Sequence, residues 1–224
     1  MTTTTDPLAE DLARLRAHYD TLARTHGYAP EAVQMTSLAT QEQRLRILAE
    51  AVREPDASVL DFGCGTGHLR ALLQRERGWA GQYTGYDLAP TTLALARAAH
   101  PDAAFEERDI LRDGVGGDFD YVLISGTFNN RMQDNWAFMT RALDTLFPHV
   151  RRALVFNLLS AYVDYTDDGL WYADPGAVFR WCKETLSPAV ALRHDYEVKP
   201  GVLPFEFTVE VRRSEHAPRP LRGG

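Results

Sequence analysis

The sequence has little cysteine, no long apolar run and no excess of basic charge. Its two cysteines, Cys64 and Cys182, lie far apart and lack metal-ligand spacing. No apolar run approaches the ~20 residues needed to span a bilayer, so a membrane protein is not expected. The first residues, Met-Thr-Thr-Thr-Thr, contain no apolar signal core, which points to the cytoplasm. The formal net charge is −7. Such a balance argues against a nucleic-acid partner, whose phosphates want a basic stripe. There is no internal repeat and no sign of a second domain. What is present is a chain of 224 residues, 45% hydrophobic and 25% charged, long enough to bury a full core in one domain.

One stretch organises the rest. Val59 to Phe62 is a short apolar run that reads as a buried parallel strand. Three glycines at alternate positions follow: Gly63, Gly65 and Gly67. Leu69, Leu72 and Leu73 then recur at helical spacing. Glycine suits a sharp strand-to-helix turn whose backbone a ligand must approach, and a helix start offers free N–H groups. Asp61 stands at the end of the strand. Asp87 ends the next strand candidate, Gln82 to Asp87, twenty residues beyond Gly67. An acid at that distance suits the two hydroxyls of a ribose, so a nucleoside-containing cofactor is expected. Asp61 would repel a pyrophosphate but welcome an ammonium group.

The segment Asp61-Phe-Gly63-Cys-Gly65-Thr-Gly67 resembles the glycine-rich signature of the class I S-adenosylmethionine-dependent methyltransferases. The resemblance implies that Asp61, Gly63, Gly65 and Gly67 face the methionine part of S-adenosylmethionine. It implies that Asp87 and its neighbour Leu88 bind the ribose side. Arg108-Asp109-Ile110 resembles the later motif in which an Asp holds the adenine amino group and an apolar neighbour packs on the ring. Gln43-Arg44-Leu45-Arg46 is similar to a pattern in a small bacterial branch of the family, with a Gln and an Arg three residues apart. Carried over, it makes Arg46 a partner for the cofactor carboxylate, which a guanidinium fork fits in two bonds.

The order of elements predicts an α/β fold: a Rossmann-like three-layer sandwich. Its seven-stranded sheet is mostly parallel, with a C-terminal antiparallel hairpin and an N-terminal helical lid. Residues 1–55 are the expected lid, 56–212 the cofactor-binding domain, and 213–224 a disordered tail. Asp6-Pro7 opens the first helix, whose stripe includes Leu8, Leu12, Leu15, Tyr19 and Leu22, and Gly27 ends it. A second helix spans about Ser37 to Arg53, with Leu38, Leu45, Leu48 and Val52 inward. A helix over Met132 to Pro148 turns Trp136, Met139, Leu143 and Phe147 to one side. The final strands are Val190–Tyr196 and Phe205–Val211.

Ligands of such sheets lie at the carboxyl ends of the strands. The fourth strand ends Ser125-Gly126-Thr127-Phe128-Asn129-Asn130. Ser125, Asn129 and Asn130 are placed to hydrogen-bond a small polar substrate or the amino-acid end of the cofactor. After the fifth strand a long loop carries Tyr162, Tyr165, Trp171 and Tyr172. With Asn129 and Asn130, Tyr165 and Tyr172 are expected at the reacting end, because aromatic faces attract a sulfonium. No dedicated base stands out; His68 and His194 are candidates. The leading expectation is methyl transfer to a small molecule. An alternative is intramolecular cyclisation of the cofactor with release of methylthioadenosine, as in the azetidine-2-carboxylate synthases on this fold. A third is a non-catalytic cofactor-binding protein.

Overall fold

The computed structural model describes residues 7–218. The chain runs α1 (Pro7–His26), a 3-10 turn (Pro30–Val33), α2 (Leu38–Ala49), β1 (Val59–Phe62) and α3 (His68–Arg77). Next come β2 (Tyr83–Asp87), α4 (Pro90–Ala99), β3 (Ala104–Glu107), α5 (Ile110–Asp113) and β4 (Phe119–Ile124). It closes with α6 (Asn135–Leu146), β5 (Val150–Leu159), α7 (Pro175–Trp181), β6 (Val190–Arg193) and β7 (Glu206–Arg212). The strands form one sheet in the order β3-β2-β1-β4-β5-β7-β6. β1 pairs in parallel with both β2 and β4, so the winding reverses there. β7 is antiparallel to both β5 and β6, which is the expected hairpin on a mostly parallel sheet.

Alternate residues of each strand enter different cores, because strand side chains point to opposite faces. Val59, Tyr121, Leu123 and Val155 pack with Leu48, Leu69, Leu72 and Leu93, under α2, α3 and α4. Leu60, Val122, Ile124 and Phe156 pack with Phe138, Met139, Leu143 and Val178, under α6 and α7. The result is a three-layer sandwich. α2 belongs to the first of these layers through Leu45, Leu48 and Ala49, so it is less of a free lid than its sequence suggests.

Local chemistry explains most boundaries. Ser37 caps α2, its hydroxyl accepting from Thr40 N at 3.2 Å. Asp174 caps α7, accepting from Gly176 N and Ala177 N, with Pro175 in the first turn. Gly27 follows α1 at φ 63°, a left-handed stop that glycine adopts without strain. The Asp6 cap expected for α1 lies outside the described residues. So do residues 219–224 of the expected tail; residues 213–218 carry no helix or strand.

Two orientations differ from expectation. Leu38 is 45% exposed and Trp136 is 37% exposed. Both sit in a first turn that buries other residues, Thr40 and Gln41 in α2 and Asn135 and Phe138 in α6, so each lies on the outer face of its helix.

Candidate active site

The reversal of winding between β1 and β4 opens a cavity at the carboxyl ends of the central strands, as the open-sheet rule requires. The cavity offers about 1150 Å³ of empty space, its mouth included. Its floor is the chain from Asp61 to Gly65 and the turn Ser125 to Thr127. One wall is Asp87 to Ala89 with Asp109 to Leu111. The roof is Tyr19 of α1, Val33, Met35 and Gln41.

The glycine turn is built for close approach. Gly63 and Gly65 have φ 76° and 53°, and both line the cavity. Gly63 N and Cys64 N both donate to Tyr86 O, at 2.8 and 3.0 Å, which folds the turn back onto β2. A Cβ on Gly63 would fall 2.2 Å from Thr127 Oγ1, and one on Gly65 would fall 2.7 Å from Val33 Cγ1. Gly67 does something else. It precedes α3 at φ 82°, and its Cβ would strike His100 and Phe105 at 2.9 and 3.0 Å. It packs α3 against the layer and is not on the cavity wall.

Three carboxylates face the cavity. Asp61 is 3% exposed, and Tyr83 Oη donates to its Oδ2 at 2.6 Å. Burial pushes its pKa up to about 7, despite that hydrogen bond. Asp87 accepts from Gly65 N through Oδ2 and from Ala89 N through Oδ1, both at 2.9 Å. Burial also raises its pKa, and these backbone donors pull it back. Asp109 caps α5, accepting from Leu111 N at 3.1 Å, with the buried Ile110 beside it. Arg108 turns its guanidinium over the Tyr86 ring at 5.1 Å and pairs with Glu106. Of the expected cofactor residues, Asp61, Gly63, Gly65, Asp87, Leu88, Asp109, Ile110 and Ser125 share this one cavity.

The others lie elsewhere. Arg46 points outward and is held by Glu42 and Glu76 at 3.0 and 2.8 Å. The inward-facing pair three residues apart is Gln41 and Arg44. Arg44 is also committed, donating to Glu206 Oε2 at 2.6 Å and to Met35 Sδ at 2.7 Å. Asn130 donates to Tyr19 Oη at 2.7 Å and to Gln34 Oε1 at 3.0 Å. It ties the roof to the turn after β4 from outside the cavity. Asn129 accepts from Leu159 N and, through its main-chain carbonyl, from Trp171 N. It fastens the long loop. That loop closes on itself: Ala161 and Ala173 pair through the main chain, and Tyr172 Oη accepts from Asp167 N at 3.1 Å. Tyr165 is 80% exposed. The aromatic loop therefore does not reach the cavity. His194 lies against Tyr162 and Phe207, away from the site.

A helical lid is expected from the sequence, but not the residues of it that line the cavity: Tyr19, Val33, Met35 and Gln41. Tyr19 entered only as one member of an apolar stripe, yet it is the aromatic residue on the cavity's lid side. Burial pushes its pKa up to about 12, and Asp87 adds to that. Gln34, the only non-glycine at positive φ among the described residues, accepts the Tyr19 hydroxyl at 2.8 Å.

A methyltransferase domain model matches residues 59–149, from β1 to the end of the α6 segment. Over 163 residues the chain is 36% identical to the methyltransferase-family protein Rv1506c of Mycobacterium tuberculosis, covering 70% of this chain and 93% of that one. The chain belongs to the class I S-adenosylmethionine-dependent methyltransferases. A shorter match, 44% identical over 66 residues, is to the trans-aconitate 2-methyltransferase of Escherichia coli, covering 30% of this chain and 26% of that one. Among solved structures, the fold is similar to DhpI in complex with SAH, with a TM-score of 0.61 and 16% identity, covering 92% of this chain and 98% of that one. The residues present fit the methyltransferase cofactor, S-adenosylmethionine. Two glycines at positive φ, Gly63 and Gly65, open the floor, and three carboxylates, Asp61, Asp87 and Asp109, line the cavity. No helix of the described residues is long and apolar enough to cross a membrane.

Proposed function

We propose that this methyltransferase acts on a small molecule inside the roofed cavity. The reading places the methionine end of the cofactor at Gly63 to Gly65, the ribose at Asp87 and the adenine between Asp109 and Ile110. The observation that carries it is the roof. Tyr19, Val33, Met35 and Gln41 lie over the cavity, and Tyr19 is tied across to Asn130 and Gln34. A side chain on a folded protein, or a base in a duplex, would have to displace that cover. A small acceptor would not.

When bound, the cofactor supplies an electrophilic methyl on a sulfonium. The chain's part is to hold the reactants and keep water out. Met35 and Phe62 line the cavity beside Ser125 to Thr127, leaving an apolar space there. Transfer from a sulfonium to a neutral nucleophile moves charge without creating much, so it gains most from alignment and exclusion of water. His68 lines the cavity as well. Burial lowers its pKa, which keeps the ring neutral and able to accept a proton at neutral pH.

The test is an activity assay on fractionated extract. Purified protein is incubated with methyl-labelled S-adenosylmethionine and either the ultrafiltrate or the retained macromolecules. Label entering the ultrafiltrate, with S-adenosylhomocysteine formed in equal amount, is expected. Label on retained protein or nucleic acid would overturn the small-molecule reading. Methylthioadenosine formed from cofactor alone together with an amino acid of azetidine mass, and only when the protein is present, would show cyclisation in place of transfer.

A further inference from the structure

The polar groups on the cavity wall are largely committed to one another. Tyr19 Oη donates to Gln34 Oε1 at 2.8 Å and accepts from Asn130 Nδ2 at 2.7 Å. Thr127 Oγ1 donates to Phe62 O at 3.0 Å. Arg16 is paired with Glu107 at 2.6 Å, and Arg108 with Glu106 at 2.9 Å. Among the described residues of the wall, the other basic side chain is His68, whose pKa burial lowers. These residues thus give the space no unpaired cation, while Asp61, Asp87 and Asp109 give it three carboxylates.

That balance selects among acceptors. The cofactor brings a sulfonium, an ammonium and a carboxylate, which leaves it singly positive, so the three carboxylates keep the loaded chamber negative. A carboxylate or phosphate acceptor would shed its hydration and find no free cation in return, a costly exchange. A sugar or other polyol would lose hydrogen bonds to water beside the apolar Met35, Phe62 and Phe138. A hydroxyl nucleophile would also need a positioned base. An amine meets none of these obstacles. As an ammonium ion it is drawn by the carboxylates and by aromatic faces, here the rings of Tyr19, Phe62 and Phe138. Ser125 lines the same space, and a serine hydroxyl can accept an N–H bond.

We propose that the methyl acceptor is an amine carried on an apolar body, entering the chamber as an ammonium ion. This rests on the small-molecule reading given under Proposed function and names the substrate class for it. The ammonium first gives one proton to water. The nitrogen lone pair then bonds to the methyl carbon as the carbon–sulfur pair returns to sulfur. Positive charge thereby passes from sulfur to nitrogen, and the methylated ammonium leaves with S-adenosylhomocysteine as the other product.

The experiment follows the label of the ultrafiltrate assay into its product. Labelled products are treated with mild base, separated from remaining cofactor and identified by mass spectrometry. A base-stable product that carries the label on nitrogen is expected. Label released by base as methanol would mean a carboxylate or phosphate acceptor and would overturn the proposal. A base-stable label on oxygen or carbon would overturn it as well. Label only on retained macromolecules would defeat the small-molecule reading itself, a result distinct from a small acceptor of the wrong class. A second readout needs no turnover. Ultrafiltrate is dialysed to equilibrium against the full chain loaded with S-adenosylhomocysteine, and the two sides are compared by mass spectrometry. An excess of amines on the protein side is expected; an excess of carboxylates or phosphates there would overturn the proposal.

Discussion

Asp61 and Asp87 show how one carboxyl chemistry serves two ends of a ligand. Asp87 is held by two backbone donors on either side of the turn, so it is already aimed before anything binds. Asp87→Ala should weaken S-adenosylhomocysteine by about 1–3 kcal/mol, the cost of unmaking charged hydrogen bonds, and unchanged affinity in a titration would contradict the ribose role. Asp61 has a single side-chain donor, Tyr83, and a pKa pushed up to about 7 by burial. Its folded value lies above its unfolded one, so the free protein binds more protons than the unfolded chain between them. The group therefore costs stability as pH rises toward 7. A bound ammonium needs the carboxylate, so affinity should rise with pH up to about 7 and binding should release a proton below it. Titrations in two buffers of different ionisation heat measure that proton, and equal heats at pH 6 would contradict the assignment.

At the scale of elements, the glycine turn and the cover are one mechanical unit. Val33 sits where a side chain on Gly65 would go. Gly65→Ala is therefore expected to destabilise by roughly 1–2 kcal/mol through its left-handed backbone, and to lift the roof as well. Adding Val33→Ala should recover cofactor affinity but not the backbone strain, a split that melting and calorimetry read separately. Asn130 fastens the same roof. Asn130→Ala should speed cofactor release about 2- to 10-fold, the worth of a net hydrogen bond, with melting little changed; stopped-flow displacement measures it. Much of this level was legible in the sequence. Apolar runs ending in Asp61, Asp87 and Ser125 marked the strands, and their carboxyl ends marked the floor. The phase of α2 was not legible. A displacement of two residues turns a side chain about 200° around a helix axis, which is why Arg46 faces solvent while Gln41 and Arg44 face in. Nor was the fate of the 160–174 loop, whose aromatics looked like a pocket. Main-chain pairing folds that loop on itself, and composition carries no record of such pairing.

At the scale of the whole molecule, a polar link joins the cover to the C-terminal hairpin of the sheet. Arg44 on α2 meets Glu206 on β7, a residue 1% exposed. Asn157 on β5 donates to the same carboxylate at 3.1 Å and accepts from Gly126 N at 2.7 Å. The roof, the hairpin and the floor are thereby joined. Breaking one partner leaves a buried charge, so Glu206→Leu should cost about 3–5 kcal/mol in urea unfolding, and adding Arg44→Met should restore much of it. A loss in the double variant equal to the sum of the two single losses would mean that the pair is not coupled. The central claim is that this chamber is shaped for a sulfonium nucleoside. Calorimetric titration of the purified chain with S-adenosylmethionine, NAD and ATP tests it most directly. The account predicts saturable binding of S-adenosylmethionine at one site and none of the other two; heat from NAD or ATP, with none from S-adenosylmethionine, would contradict it.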